Sequence, residues 1–237
     1  MRRIAAALAA PLFLLFAGCQ KPPGYPGPPE ERPSQVMDFA TLYGQNCAGC
    51  HGTKGENGPA TDLANPEYEA LIDDASLHKV IANGMEGTLM PKFGDAAGGT
   101  LTDKQIDVLV AGMRRQWQTP NAYSGATPPP YAQAKAGDAQ RGEQAYKARC
   151  AICHMQSPQE ITGATYLSLV SDQALRSFII AGRPDIGQPD WRHDSRDGKS
   201  TTPLTSQEVD DIVTYLSMLR NPTAVSRQVG NAAKPGR

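Results

Sequence analysis

Apolar residues recur along the chain at helical spacing, in blocks that open on capping residues and close on glycine. Phe39, Leu42 and Tyr43 share one face of a first helix, which Ser34 is placed to cap. A similar helix starts near Asp138 and puts Tyr146 four residues before Cys150, as Tyr43 stands four before Cys47. Two middle helices are expected at 76–83 and 172–181, each followed by a glycine, Gly84 or Gly182, suited to a left-handed C-cap. Two longer helices open with the capping boxes Thr102-x-x-Gln105 and Thr205-x-x-Glu208. Behind them Ile106, Leu109, Val110 and Met113, and Val209, Ile212, Val213 and Leu216, fall at core spacing. No segment alternates as a half-buried strand would, so the pattern predicts an all-α fold.

The doubling is a repeat in register. Leu101-Thr102 aligns with Leu204-Thr205, Ile106 with Val209 and Val110 with Val213, all at an offset of 103 residues. The units run over 36–120 and 137–221, about 85 residues each, which is small for an unaided core. Between them, 121–136 carries Pro128-Pro129-Pro130 and few large apolar residues, and reads as a linker. The tail, 222–237, is polar.

The same offset separates two copies of a five-residue stretch, Cys47-Ala48-Gly49-Cys50-His51 and Cys150-Ala151-Ile152-Cys153-His154. C-x-x-C-H is the attachment signature of c-type haem: two thiols one helical turn apart add to the porphyrin vinyl groups, and the next histidine supplies the proximal nitrogen. A zinc site would need the Cys pairs gathered into one four-ligand cluster, whereas each pair here ends in its own histidine. Two covalently attached haem c groups are therefore expected, on Cys47, Cys50 and His51 and on Cys150, Cys153 and His154. The porphyrins supply the apolar volume that the small units lack.

The amino-terminal segment 1–18 has the form of an export signal, with Arg2 and Arg3 ahead of an apolar run at 4–16 too short to span a bilayer. It ends Leu15-Phe16-Ala17-Gly18-Cys19, which resembles the lipobox of bacterial lipoproteins and implies acylation of Cys19. The cysteine count agrees, since four of the five cysteines are taken by the haem motifs. Residues 19–35, with six prolines, read as a tether that could hold a domain up to roughly 45 Å from a membrane.

Taken with the helix order, each unit resembles a class I c-type cytochrome: N-terminal helix, C-x-x-C-H, middle helix, distal ligand loop, and a C-terminal helix crossing the first. In that family a glycine eight residues before the first Cys lets the terminal helices cross closely. Gly142 fits, while Phe39 stands there in the first unit and implies a wider crossing. The family's distal loop reads Met-Pro with an aromatic two residues on, as in Met90-Pro91-Lys92-Phe93, which makes Met90 the expected distal ligand of the first iron. Counted from the glycine after the middle helix, the matching stretch of the second unit is Gln188-Pro189-Asp190-Trp191, without the methionine. His193 is the next candidate, and Gln188 or water near the iron the alternative. His78 is expected to be an exposed surface residue.

Formal net charge is −1, and the first unit carries 11 acidic against 6 basic residues, the second 11 against 9. With no basic stripe, nucleic-acid binding is not expected. The combined reading is a non-enzymatic electron carrier of the bacterial envelope, periplasmic and held to the membrane by its lipid. It would pass single electrons from a quinol-oxidising complex or dehydrogenase to an oxidase or soluble cytochrome. A variant of this reading lets the linker swing one haem. The alternative is a haem enzyme acting on peroxide or a small ligand at an open second iron.

Overall fold

Asp38 and Asp138 set the start of each repeat, because a short acidic side chain in extended backbone can accept the otherwise orphaned N–H groups of a first helical turn. A computed structural model describes residues 31–155, 160–193 and 202–220. It divides into two units, 1–35 and 36–237. Of the first, only 31–35 is described, a 3-10 turn over Pro33–Gln35. Ser34 lies inside that turn and caps no helix; Asp38 does so instead, accepting from Thr41 N at 2.8 Å. The leader and Cys19 lie outside the described residues.

The second unit holds both repeats. The first contains α1 (Phe39–Asn46), α2 (Ala48–His51), α3 (Pro66–Leu71), α4 (Asp74–Asn83) and α5 (Asp103–Trp117). The second contains α6 (Ala139–Arg149), α7 (Ala151–His154), α8 (Ala164–Leu167), α9 (Asp172–Ala181) and α10 (Ser206–Leu219). Among the described residues there is no strand, only two isolated bridges, so the fold is all-α as the sequence predicts. Both capping boxes form, at Thr102/Gln105 and Thr205/Glu208. Ile106, Leu109 and Met113 of α5, and Val209, Ile212 and Leu216 of α10, are buried at the centres of their repeats. No described helix is long and apolar enough to cross a membrane.

The terminal helices cross differently in the two repeats. A Cβ on Gly142 would lie 2.0 Å from the Asp211 carbonyl oxygen, so α6 and α10 meet backbone against backbone. In the first repeat the small residue is on the other helix: a Cβ on Gly112 of α5 would meet the Phe39 ring at 2.0 Å. Phe39 fills the gap that a glycine would close; it stacks on Tyr43 at a centroid distance of 5.6 Å and meets Trp117 edge to face at 6.1 Å. The wider first crossing expected from Phe39 is thus filled by an aromatic cluster.

One arginine in each repeat fastens the last helix to the middle of the fold. Arg114 donates to the carbonyls of Glu69 and Ile72 and to the carboxylates of Glu69 and Asp74. Arg220 donates to the carbonyls of Leu167 and Val170 and to Asp172. The three acceptor positions correspond at an offset of 98 residues. The arginines themselves are 106 apart, on successive turns of equivalent helices.

The segment between the repeats is packed. Tyr123 is buried and donates its hydroxyl to the Glu67 carbonyl at 2.6 Å. The Pro130 and Tyr131 carbonyls accept from Arg176 of α9, whose guanidinium also meets the buried Asp210 carboxylate. Helix α3 of the first repeat packs on α9 of the second. A linker that swings one repeat freely does not agree with this packing, because α3 and α9 would have to part.

Candidate functional site

Each C-x-x-C-H stretch folds the same way. Cys47 ends α1 and begins α2 with φ −116° and ψ −38°; Cys150 does the same between α6 and α7 with φ −113° and ψ −35°. The Cys50 and His51 N–H groups donate to the Cys47 carbonyl at 3.1 and 3.0 Å, and those of Cys153 and His154 to Cys150 at the same distances. The two thiols and the imidazole of each motif therefore occupy one helical turn. None of these four cysteines is in a disulfide. Burial pushes the Cys47 and Cys150 thiols up to about 11.

The loop after the first motif serves His51. Its Nδ1 lies 2.8 Å from the Thr61 carbonyl oxygen, an acceptor that assigns the proton to Nδ1 and leaves Nε2 as a lone-pair donor. Burial holds its pKa below the usual histidine value, despite the opposing bond to Thr61, so the ring stays neutral. The loop is tightly folded: a Cβ on Gly52 would fall 1.9 Å from the Glu56 carbonyl oxygen, and Gly52 has φ +79°. Tyr43 donates its hydroxyl to Gly52 O at 2.8 Å, and Tyr146 donates to His154 O at 3.2 Å. The two tyrosines four residues before the motifs thus brace the backbone at the histidine or one residue beyond it.

The loops after α4 and α9 fold alike and place Gln188 at the backbone position of Met90. Gly84 and Gly182 end α4 and α9 with φ +66° and +70°. Their ψ values, −167° and −176°, are extended rather than left-handed helical, a region open essentially to glycine alone. A Cβ on Gly84 would lie 2.7 Å from the Met90 carbonyl oxygen, and one on Gly182 would lie 2.9 Å from that of Gln188. Further on, Leu101 N donates to Phe93 O and Leu204 N to Trp191 O, at 2.8 and 2.9 Å.

Met90 is half-buried, in a turn closed by Met85 N donating to Met90 O and by Thr88 Oγ1 accepting from Met90 N. Gln188 differs in kind. Its Nε2 donates to the Phe178 carbonyl of α9 at 2.8 Å, so the amide serves the backbone. Two residues beyond this loop's proline is Trp191, whose Nε1 is buried without a hydrogen-bond partner, and Nδ1 of His193 is in the same state. Buried polar atoms of this kind cost free energy unless something satisfies them. A group carrying both an iron and acidic side chains offers a partner for each. His78 is not the free surface residue expected: it is partly buried and faces Asp107 at 3.5 Å.

Sequence reasoning missed Thr61, whose backbone carbonyl carries no residue-type signal. It also missed Trp191 as a buried donor, although the match to Phe93 had marked the position.

The thiol pairs, the neutral His51 ring with a free Nε2, and the unsatisfied atoms near Gln188 fit a porphyrin held covalently in each repeat. The family described as "Cytochrome C oxidase, cbb3-type, subunit III" matches residues 34–111, and the family "Cytochrome c" matches residues 139–220. No curated protein matches the chain. The chain is a dihaem c-type cytochrome, two cytochrome c domains in tandem with two covalently bound haem c groups.

Proposed function

We propose that this electron-transfer protein is a membrane-tethered carrier that takes single electrons from a quinol-oxidising or dehydrogenase complex. It would deliver them to an oxidase or a soluble cytochrome. The likeness of its first domain to a cbb3-type oxidase subunit supports an acceptor of the oxidase class. The lipobox-like end of the leader and the proline-rich tether support a lipid anchor at Cys19 and a periplasmic setting. The observation that carries the reading is the pair of superimposable C-x-x-C-H turns, each followed by its own distal loop.

In this reading Cys47 and Cys50, and Cys150 and Cys153, form the thioether bonds, and His51 and His154 are the proximal ligands. A haem bound there supplies a one-electron ferric/ferrous couple. Thr61 fixes the ring plane and tautomer of His51, and Tyr43 and Tyr146 hold the backbone at each histidine or one residue beyond it. Met90 is the distal ligand of the first iron; a thioether favours the ferrous state and raises the potential.

For the second iron we assign His193. The Gln188 amide is engaged at Phe178 O, whereas His193 Nδ1 is buried and unsatisfied. Bis-imidazole ligation makes the second haem the lower in potential and closes it to peroxide or small ligands, which disfavours the enzymatic alternative. Visible spectra with a redox titration test this. Wild type should show two unequal potentials and a weak far-red ferric band from Met90 alone. His193→Ala should turn one ferric haem from low-spin to high-spin. Two equal high potentials with Met-type spectra would refute the assignment.

A further inference from the structure

Asn65 is 2 % exposed and sits where the two domains meet. Its Oδ1 caps α3 of the first domain, accepting from Glu67 N at 2.9 Å and Tyr68 N at 3.3 Å. Its Nδ2 crosses to the second domain and donates to the carbonyls of Ala181 and Gly182, at 3.1 and 3.2 Å. Those are end-of-helix carbonyls of α9, which need a donor from outside the helix. One amide therefore caps the start of a helix in one domain and the end of a helix in the other.

A local cap alone does not account for this residue. The equivalent position in the second domain, before α8, is Gly163, and it makes no side-chain cap bond. The surroundings repeat the same crossing in weaker form. Arg192 reaches Glu67 at 3.4 Å while paired with Asp190, and its guanidinium lies over the Tyr123 ring at 5.5 Å. What is joined is specific. Asn65 lies four residues after Thr61, whose carbonyl holds His51. Gly182 lies against Gln188 and Pro189 of the second distal loop.

We infer that Asn65 is an interdomain latch, a positioning residue that ties the proximal loop of the first haem site to the distal loop of the second. The two domains then move as one body, and the setting of the second haem depends on the latch. The loop names rest on the ligand reading above; the latch itself does not.

The test uses the full holoprotein with Asn65→Asp and Asn65→Ser. Both replacements can cap α3, aspartate and serine being about as good as asparagine there. Neither can donate to Ala181 and Gly182 as the amide does, and aspartate places a negative charge against two carbonyl oxygens. Chymotrypsin reads the joint, because Tyr123 is buried and Tyr131 partly so in the closed form. Loss of two hydrogen bonds should raise cleavage after these tyrosines roughly tenfold or more, with both haems retained. The potential of the second haem should fall as its distal loop is exposed to water.

Unchanged cleavage in both variants overturns the latch. Faster cleavage with an unmoved second potential overturns the link to the haem site, and His193→Ala then shows separately whether the loop was wrongly assigned. If the aspartate variant fails to take up haem, the serine variant decides alone.

Discussion

The close crossing at Gly142 can be tested with one methyl group. A Cβ there would stand 2.0 Å from the Asp211 carbonyl oxygen, 2.5 Å from its carbon and 2.9 Å from Tyr215 Cβ. Two of these three atoms are backbone, so no rotamer change relieves the contact. Bringing the shortest contact to an ordinary 3.4 Å means parting α6 and α10 by about 1.4 Å, along a seam that also buries Tyr146 and Val213. Overpacking of this kind costs about 1–3 kcal/mol, against a gain of about 1 kcal/mol from alanine's better helix propensity. Gly142→Ala should therefore destabilise by up to about 2 kcal/mol, a fall in Tm of up to roughly 8–16 °C for a domain of this size. Gly44 of α1 is the control: exposed, with nothing within 4 Å of its Cβ position, so Gly44→Ala should stabilise slightly. Gly112→Ala should fall between them, since it meets a Phe39 ring that can turn. Thermal and urea unfolding of the holoprotein, followed by far-ultraviolet circular dichroism, gives the order. If Gly142→Ala is as stable as Gly44→Ala, the helices do not cross backbone to backbone.

Replacing Cys47 and Cys50 together by Ser should leave one covalent haem, at the second motif; intact-mass spectrometry giving a single adduct on wild type instead would contradict two attachment sites. Arg114→Met strands the buried Glu69 carboxylate and two carbonyls, and should cost about 3–5 kcal/mol in urea unfolding. Arg220→Met should cost less, because its carboxylate partner Asp172 is half-exposed; equal losses would refute the distinction. Burial would raise the pKa of Asp211, but Arg141, the Asp138 N–H and Gln207 hold it below the usual carboxylate value. Its stabilisation is therefore present above the unfolded value of about 3.9 and lost as pH falls through the lower folded one. The stability gap between wild type and Asp211→Asn should be about 1 kcal/mol at pH 7, Arg141 being largely exposed, and should close below about pH 4.

Features set by a residue type at a fixed spacing could be read from the chain alone. These are the haem turns, the capping boxes, the two buried tyrosines and the glycine of the second crossing. What could not be read depends on atoms that any residue carries or on where a long side chain ends. The Thr61 carbonyl is of the first kind. Asn65 is of the second: Asn-Pro at a helix start is an ordinary capping signal, and only packing shows where its Nδ2 goes. Arg114 and Arg220 escaped a fixed-offset comparison because they sit on successive turns while serving equivalent acceptors.

The offset itself hides the most informative difference between the domains. It is 103 residues at the haem motifs and at the last helices, but 98 from Asn65/Gly163 through Gly84/Gly182 to Phe93/Trp191. The second domain is thus five residues shorter after its haem motif and five longer between Trp191 and Leu204. The lengthening falls beside the loop that carries Gln188 where the first domain has Met90, and His193 lies within it. A domain that had only lost its ligand would need no longer loop. In the proposed ligation an imidazole replaces a thioether and must be brought in from further along the chain, and the added residues stand where that reach would begin.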